Sequence, residues 1–196
     1  PYMVKNVLAP LQGILEERKP LLITMAAGIS MEELEAMAGT PLPIIRIMPN
    51  TPTAMGKGVI PYCYNDLVDG ETLRDWRADM GFCGLLDPLE ERLMDAASAL
   101  SGSGPAFCYM FAEALADGAV ACGLPRAKAM EYAAMTLSGA AEMLLATGQH
   151  PGALKDAVCS PGGSTIVGVK TLETRGFRGA VMECVMNTFQ KNKDLL

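Results

Sequence analysis

The chain has 196 residues, half of them hydrophobic and 19% charged, with a formal net charge of −6. This length suits one ordinary domain or two small ones, and the composition excludes wholesale disorder. The acidic balance argues against a basic nucleic-acid-binding surface, and no run of about 18 uncharged apolar residues is present to span a membrane.

The six cysteines are scattered without a C-x-x-C pair, and His150 is the single histidine. Zinc sites need clustered Cys and His ligands, so we expect no metal site. We expect the cysteines to be buried small hydrophobes in a reducing cytoplasm. For His150 we expect a capping or surface role, because no acid–nucleophile constellation surrounds it in the sequence.

Residues 1–90 alternate between helical and strand patterns. Pro61 suggests an edge position for the third strand, since proline cannot donate to a ladder. Helices that alternate with short apolar strands predict an α/β layer with parallel strands. The predicted helices and strands, in chain order, are a helix over 3–18, a strand over 21–28, a helix over 30–39, strands over 44–50 and 58–65, a helix over 73–84 and a strand over 85–89.

Residues 91–196 carry almost no strand signal and predict a series of helices. The first starts near Pro105 and stops at Gly123, before Pro125. It is apolar around nearly its whole circumference, and such a helix must be buried on all sides. A second copy of the helical bundle would bury it, which predicts an obligate homodimer. The alternative is a monomer whose α/β layer covers this helix.

The stretch CSPGGSTIVG, residues 159–168, places two glycines and several hydroxyls in front of a predicted helix. A helix N-terminus presents unpaired N–H groups, and glycines let an anion approach them. Ser160, Ser164 and Thr165 add hydroxyl donors, so the pattern fits a carboxylate or phosphate. A glycine-rich turn with a Ser/Thr cap uses the same residue types, and the residues alone leave both interpretations open.

Two further loops follow predicted strands: AAG at 26–28 and MPNTPTAMGKG at 48–58. In open α/β sheets, ligands bind beside the loops that leave the carboxyl ends of strands. SGSGP, at 101–105, is interpreted as a linker followed by a helix start. No G-x-G-x-x-G is present, because Phe107 takes the last glycine's place after Gly102 and Gly104, so the dinucleotide fingerprint is missing.

Six motifs taken in order resemble the pyrroline-5-carboxylate reductase family: AAGIS, RIMPNTPTAMGKG, ALSGSGPAF, ALADGAVACGLPR, HPGALKDAVCSPGGSTI and LETRGFRGAVMECV. The resemblance implies an oxidoreductase of proline biosynthesis that passes a hydride from NADPH or NADH to a cyclic imine. It also implies an incomplete Rossmann-like α/β domain over residues 1–90, followed by an all-α dimerisation domain over 91–196 whose helices interlock with those of its partner. The resemblance implies a homodimer, with or without further assembly of dimers, and the cysteine pattern leads us to expect it in the cytoplasm.

The resemblance also assigns site residues. The family's SPGG-x-T loop holds the substrate carboxylate through backbone amides, which implies Ser160, Gly162, Gly163 and Ser164 here. The hydroxyl of Thr165 would meet the imine nitrogen as the catalytic group. Ser164 stands where alanine or threonine is usual. Glu91 matches an acid near the substrate pocket. The residues implied to bind the cofactor are Pro1, Ala26, Ala27, Gly28, Met48, Pro49, Asn50 and Thr51.

Members of this family begin with a strand, a G-x-G-x-x-G-type turn and a helix that hold the cofactor's phosphates. The printed sequence starts after those elements, so we expect exposed sheet edges and weak or no cofactor binding by this chain alone. Two alternatives stay open. One is a catalytically inactive dimerisation fragment. The other is a related two-domain NAD(P)-dependent hydroxy-acid or keto-acid reductase, in which a helical-domain lysine would be poised for catalysis.

Overall fold

The computed structural model describes residues 1–194, which divide into two compact units. Unit 1 comprises Pro1–Pro105 and the segment that begins at Cys184, and unit 2 comprises Ala106–Glu183. The strands and α-helices follow in chain order: α1 Val4–Leu8, α2 Gln12–Arg18, β1 Leu22–Thr24, α3 Met31–Ala38, β2 Ile44–Ile47, β3 Gly58–Tyr64, α4 Gly70–Met80, β4 Gly84–Pro88, α5 Met94–Ala97, α6 Gly104–Ala121, α7 Arg126–Thr147, α8 Pro151–Ala157, α9 Ser164–Thr174 and α10 Phe177–Lys193.

The sheet of unit 1 has the strand order β1-β2-β3-β4 and is mixed. β1 pairs parallel with β2 and β3 parallel with β4, as the sequence predicts, but β2 and β3 are antiparallel. The prediction of parallel strands is therefore wrong at this pair. Only residues 48–57 join the two strands, and a parallel connection takes about a dozen residues or more.

β3 lies inside the sheet, so the predicted edge position is also wrong. Its pairing with β2 runs from Tyr64 to Tyr62, and Pro61 comes one step further on. There the carbonyl of Pro61 accepts from Met48 N at 3.0 Å. The proline therefore removes a donor only where the β2–β3 pairing ends, which an interior strand tolerates.

β2 is the centre of the unit 1 core, and all four of its residues are buried. Ile44 belongs to a cluster with Leu34 of α3, whereas Ile45 belongs to a second cluster with Trp76 of α4. Because successive side chains alternate between the faces of a strand, helices cover both faces of the sheet here. This explains why the β2 sequence reads as an apolar run interrupted only by Arg46.

The predicted cap of α3 is confirmed. The Ser30 hydroxyl accepts from Glu33 N at 3.1 Å, and the Glu33 carboxylate accepts from Ser30 N at 2.8 Å, which together form a capping box. Gly39 ends the helix with φ +71°, a conformation that glycine adopts at little cost. α3 therefore begins and ends where the sequence predicts.

Unit 2 is helical, with small buried residues at Ala116, Ala129 and Ala133. In the single chain, Tyr109 and Met110 of α6 are 64% and 70% exposed. A helix of this composition needs a covering surface, so these exposures favour the predicted dimer over the monomer alternative. None of the helices over residues 1–194 combines the length and apolarity that crossing a membrane would require.

The six cysteines are free thiols, but the expectation that they are buried holds only for Cys63 in the single chain. Cys108 and Cys122 are exposed. Both belong to the segment at and just after α6, whose apolar surface is open in one chain. A pattern of apolar residues predicts that a side chain prefers burial, but it does not say whether the same chain supplies the cover.

Candidate substrate and cofactor sites

The loop over residues 160–165, called the carboxylate loop after the role that the resemblance implies, contains the tight turn before α9 and the first two residues of α9. The carbonyl of Ser160 accepts from Gly163 N at 3.0 Å, and Gly162 has φ +71°. Proline at the second position and glycine with positive φ at the third are the features of a type II turn. The sequence order Ser-Pro-Gly-Gly therefore fixes the backbone direction just before α9.

α9 begins without a side-chain cap. Its N-cap is Gly163, with φ −73° and ψ 168°, and no side chain of the described residues accepts from the N-cap turn. Ser164 and Thr165 are the first two residues of the helix and do not cap it. The first-turn amides thus carry the partial positive charge of an unpaired helix start. Of the two interpretations that the sequence leaves open, this geometry favours an anion site over a Ser/Thr cap.

Gly163 also controls the space beside Ser160. A Cβ at this position would lie 2.3 Å from Ser160 Oγ and 3.2 Å from Ser160 O. The absence of a side chain therefore lets the Ser160 hydroxyl lie against the start of α9. The amide of Gly163 is already used in the turn, which leaves the amides of Ser164, Thr165 and Ile166 as the donors of the helix start.

His150 and Lys155 of the preceding segment have local partners. His150 Nδ1 accepts from Gly152 N at 3.1 Å, so the predicted capping role is confirmed. Lys155 Nζ pairs with the carboxylate of Asp156, and this hydrogen bond raises the pKa of the lysine.

The two predicted cofactor loops leave adjacent parallel strands at the same sheet edge. Residues 26–28 follow β1, and residues 48–51 follow β2. Ala27 packs against the buried cluster that contains Met48, and Gly28 has φ +77°. Pro1 is exposed at the start of α1, where its carbonyl accepts from Val4 N, and it is outside that cluster.

Within the second of these loops, Asn50 is held at both ends of its side chain. Nδ2 donates to Ser101 O at 2.9 Å, and Oδ1 accepts from Val59 N at 3.0 Å. The next residue, Thr51, starts a 3₁₀ turn over Thr51–Met55. The side chain of Asn50 is therefore engaged within the protein.

Glu91 contacts two groups of unit 1. Its Oε1 accepts from Met31 N at 2.8 Å and from Arg46 Nη1 at 3.2 Å. Arg46 Nη2 also reaches Asp95 at 3.2 Å, and the arginine side chain is only 4% exposed. This cluster is not among the residues predicted from the sequence, although a single arginine inside the apolar run IIRIM is a signal for a buried ion pair.

Cys63 lies beside this ion-pair cluster. Burial raises the pKa of its thiol to about 11, with Glu91 acting in the same direction and Arg46 opposing it. The thiol is therefore neutral near pH 7 and is no candidate nucleophile.

The SGSGP segment is not a simple linker. Residues Ser98–Gly102 form a π-helical turn that leads directly into α6. Ser103 N donates to Ser98 O at 3.2 Å, a bond that spans five residues. The prediction of a linker is therefore wrong. Glycine and serine usually interrupt helices, but here they continue the helix through a turn that contains one extra residue.

The predicted site residues thus form two sets. The carboxylate loop belongs to unit 2, whereas Glu91 and the two cofactor loops belong to unit 1. Each set is assembled by its own unit: a turn and a helix start in the first case, and the carboxyl edge of parallel strands in the second.

Comparison with known proteins gives a consistent result along the whole chain. The family described as "Pyrroline-5-carboxylate reductase dimerisation" matches residues 91–195. The pyrroline-5-carboxylate reductase of Glycine max is 42% identical over all of this chain and 70% of its own length. That of Escherichia coli is 40% identical over all of this chain and 72% of its own length.

Solved structures agree with these relatives. A pyrroline carboxylate reductase of Plasmodium falciparum with NADP bound superposes with a TM-score of 0.92 at 35% identity, covering 99% of this chain and 77% of that one. The 1-pyrroline-5-carboxylate reductase of Streptococcus pyogenes gives 0.91 at 37% identity, covering 100% and 73%. Fold and sequence therefore lead to one conclusion: this chain belongs to the pyrroline-5-carboxylate reductase family.

Proposed function

We propose that the chain reduces 1-pyrroline-5-carboxylate to L-proline with a hydride from NADPH or NADH, as an enzyme of proline biosynthesis. The observation that carries this proposal is the uncapped start of α9 behind the Ser-Pro-Gly-Gly turn. It offers backbone donors and a positive helix end to a small carboxylate. Family membership identifies this carboxylate as that of the cyclic imine substrate.

The carboxylate loop would hold the substrate mainly through its backbone. The amides of Ser164 and Thr165 point from the first turn of α9, and the Ser160 hydroxyl adds a donor beside them. Gly162 allows the turn, and Gly163 keeps the approach free of a side chain. Hydrogen bonds to a charged carboxylate are stronger than neutral ones, so this small set suffices to orient the ring.

Thr165 would act at the imine. It is the second residue of α9, so a substrate whose carboxylate lies at the helix start places its ring close to this side chain. The hydroxyl can donate a hydrogen bond to the imine nitrogen and hold the carbon–nitrogen bond in a fixed orientation. Glu91 stays a prediction as a substrate-binding acid, because the contacts described for it are Arg46 and Met31.

The cofactor loops fit the nicotinamide half of NAD(P)H. Residues 26–28 are small, with positive φ at Gly28, and residues 48–51 lie beside them at the carboxyl edge of the sheet. Such edges hold nucleotide cofactors in open α/β folds. When bound, the cofactor supplies the hydride, so the protein needs no nucleophile. The sequence contains no G-x-G-x-x-G, so we assign no residue of this chain to the phosphates.

We further propose that the chain works as a homodimer, with further assembly of dimers as an extension. The dimerisation family matches residues 91–195, and exposed apolar side chains such as Met135 (68%) and Leu145 (86%) need cover. A cytoplasmic location is part of the same proposal, supported by six free thiols, which persist in reducing compartments.

The test is NADPH oxidation by the purified chain with pyrroline-5-carboxylate, with proline identified as the product. Thr165→Val should lower kcat by about tenfold or more, because the variant keeps the shape and loses the hydroxyl. Thr171→Val is the matched control, since the Thr171 hydroxyl donates to the Val167 carbonyl within the same helix. The control should keep kcat within about twofold of the original chain.

Two results would contradict the proposal. Equal losses in the two threonine variants would show that Thr165 acts only through helix stability. A folded dimer that binds proline but never oxidises NADPH would favour the inactive dimerisation fragment, the alternative raised by the sequence.

A further inference from the structure

Asn50 joins three segments of unit 1 through one side chain. Its Nδ2 donates to Ser101 O at 2.9 Å and its Oδ1 accepts from Val59 N at 3.0 Å. One partner is a carbonyl and the other an N–H, so only one orientation of the amide satisfies both. The loop after β2, the start of β3 and the π-helical turn are therefore tied together.

The carbonyl of Ser101 needs such a donor because of Pro105. In an α-helix the N–H of residue i+4 donates to each carbonyl, and for Ser101 that residue is Pro105, which has no N–H. The backbone instead forms a π-helical turn over Ser98–Gly102. The amide of Asn50 supplies the hydrogen bond that the proline cannot.

The main chain of Asn50 is fixed as well. Its carbonyl accepts from Thr53 N at 3.2 Å and from Thr53 Oγ1 at 2.9 Å. Side chain and main chain together hold the four-residue loop 48–51 in one conformation. This is the loop that the proposed function places against the nicotinamide.

We propose that Asn50 is a positioning residue for hydride transfer, whose side chain clamps the cofactor loop 48–51 to the π-helical turn at the start of α6. Its amide holds Ser101 and Val59 and does not bind the cofactor itself. This inference rests on the proposed function, because that function assigns the loop to the nicotinamide. The clamp itself can be tested without any ligand.

The decisive variant is Asn50→Asp. The new carboxylate can still accept from Val59 N, but it cannot donate to the Ser101 carbonyl and places an oxygen against it. Asn65→Asp is the matched control. Asn65 Oδ1 accepts from Ile44 N at 3.0 Å, and Nδ2 donates to Leu42 O at 2.7 Å, the same arrangement at a site away from both cofactor loops.

The control should destabilise at least as much as the test variant, because Asn65 Nδ2 also donates to Glu35. Amide hydrogen exchange of the free chain comes first. Asn50→Asp should speed exchange at Ser103, whose N–H donates to Ser98 O within the π-helical turn that loses its donor, whereas Asn65→Asp should leave exchange at Ser103 unchanged. Unchanged exchange at Ser103 in Asn50→Asp would overturn the clamp.

Kinetics then test positioning. Asn50→Asp should lower kcat/KM for NADPH by about tenfold, with KM for pyrroline-5-carboxylate within about twofold. Asn65→Asp should change neither, despite its loss of thermal stability. An equal loss of kcat/KM in both variants would show that Asn50 affects only stability and does not position the cofactor loop. An original chain that neither binds NADPH nor turns over would refute the proposed function, while the exchange data still decide the clamp.

Pro105→Ala provides a rescue. This change restores an N–H at position 105, which can donate to the Ser101 carbonyl in place of Asn50. The effect of Asn50→Asp on kcat/KM should therefore be smaller in the Pro105→Ala background. The same loss in both backgrounds would show that the missing helical donor is not the reason for the clamp.

Discussion

The substitution Gly163→Ala separates ligand binding at the proposed carboxylate site from the stability of the fold. The new Cβ would lie 2.3 Å from Ser160 Oγ, about 1 Å inside ordinary contact, so the hydroxyl must rotate away. The Cβ would also lie 3.2 Å from Ser160 O, which needs a shift of a few tenths of an ångström. The backbone at φ −73° accepts alanine without strain.

These contacts set two different magnitudes. A forced rotamer and a small backbone shift cost about 1 kcal/mol of unfolding free energy, or roughly 2–4 °C in Tm. Displacing Ser160 from the carboxylate removes a hydrogen bond to a charged group, worth about 1.5–3 kcal/mol, which is roughly 10–150-fold in Kd. Ligand affinity should therefore fall far more than stability.

The assay is calorimetric or NMR titration of L-proline, with prolinamide as the ligand that lacks the carboxylate. Gly163→Ala should weaken proline binding by the stated factor and leave the weak binding of prolinamide unchanged. Gly70→Ala, at the start of α4, is the matched control because its Cβ would meet nothing within 4 Å. A Kd for proline within about twofold of the original, in a variant with lowered Tm, would refute the reasoning.

Three further predictions concern unit 1. Arg46→Met should lower the unfolding free energy by about 2–3 kcal/mol, which thermal melts would measure. This is less than the ~3–5 kcal/mol lost when a fully buried ion pair is broken, because the side chains of Glu91 and Asp95 are about 30% exposed. Hydrogen bonds to Asp69, of which that from Thr72 N has the largest effect, lower the pKa of its carboxyl group. The stability that this carboxylate contributes above pH ~4 should therefore be lost as the pH falls and the group is protonated. Melts from pH 7 to 2 should show a smaller decline for Asp69→Asn. Cys63, with a pKa raised to about 11, should resist iodoacetamide at pH 8 until the chain unfolds, as mass spectrometry would show.

Much of the local structure follows from short stretches of sequence. The capping box of α3 needs only Ser30 and Glu33 three residues apart, and the turn before α9 needs only the order Ser-Pro-Gly-Gly. In both cases the partners are close neighbours in the chain, so their geometry depends little on the rest of the fold. The family resemblance is carried by such local motifs.

Contacts between residues far apart in the chain were harder to predict from the sequence. The antiparallel pairing of β2 with β3 and the interior position of β3 depend on which strands pair with each other. Pro61 suggested an edge strand because its position relative to the end of the β2–β3 pairing cannot be read from the sequence. The Arg46–Glu91 pair joins residues far apart in sequence, so composition shows the anomaly of a buried arginine but not its partner.

The sequence by itself determined the family, and it predicts a two-part organisation and an anion-binding role for the carboxylate loop, because these inferences depend on residue types at short spacing. Only the tertiary structure decided that Gly163 leaves α9 uncapped and that the amide of Asn50 takes the place of the donor missing at Pro105. The physical reason is that a hydrogen-bonding group can satisfy several partners, and only the folded backbone selects which one lies within reach.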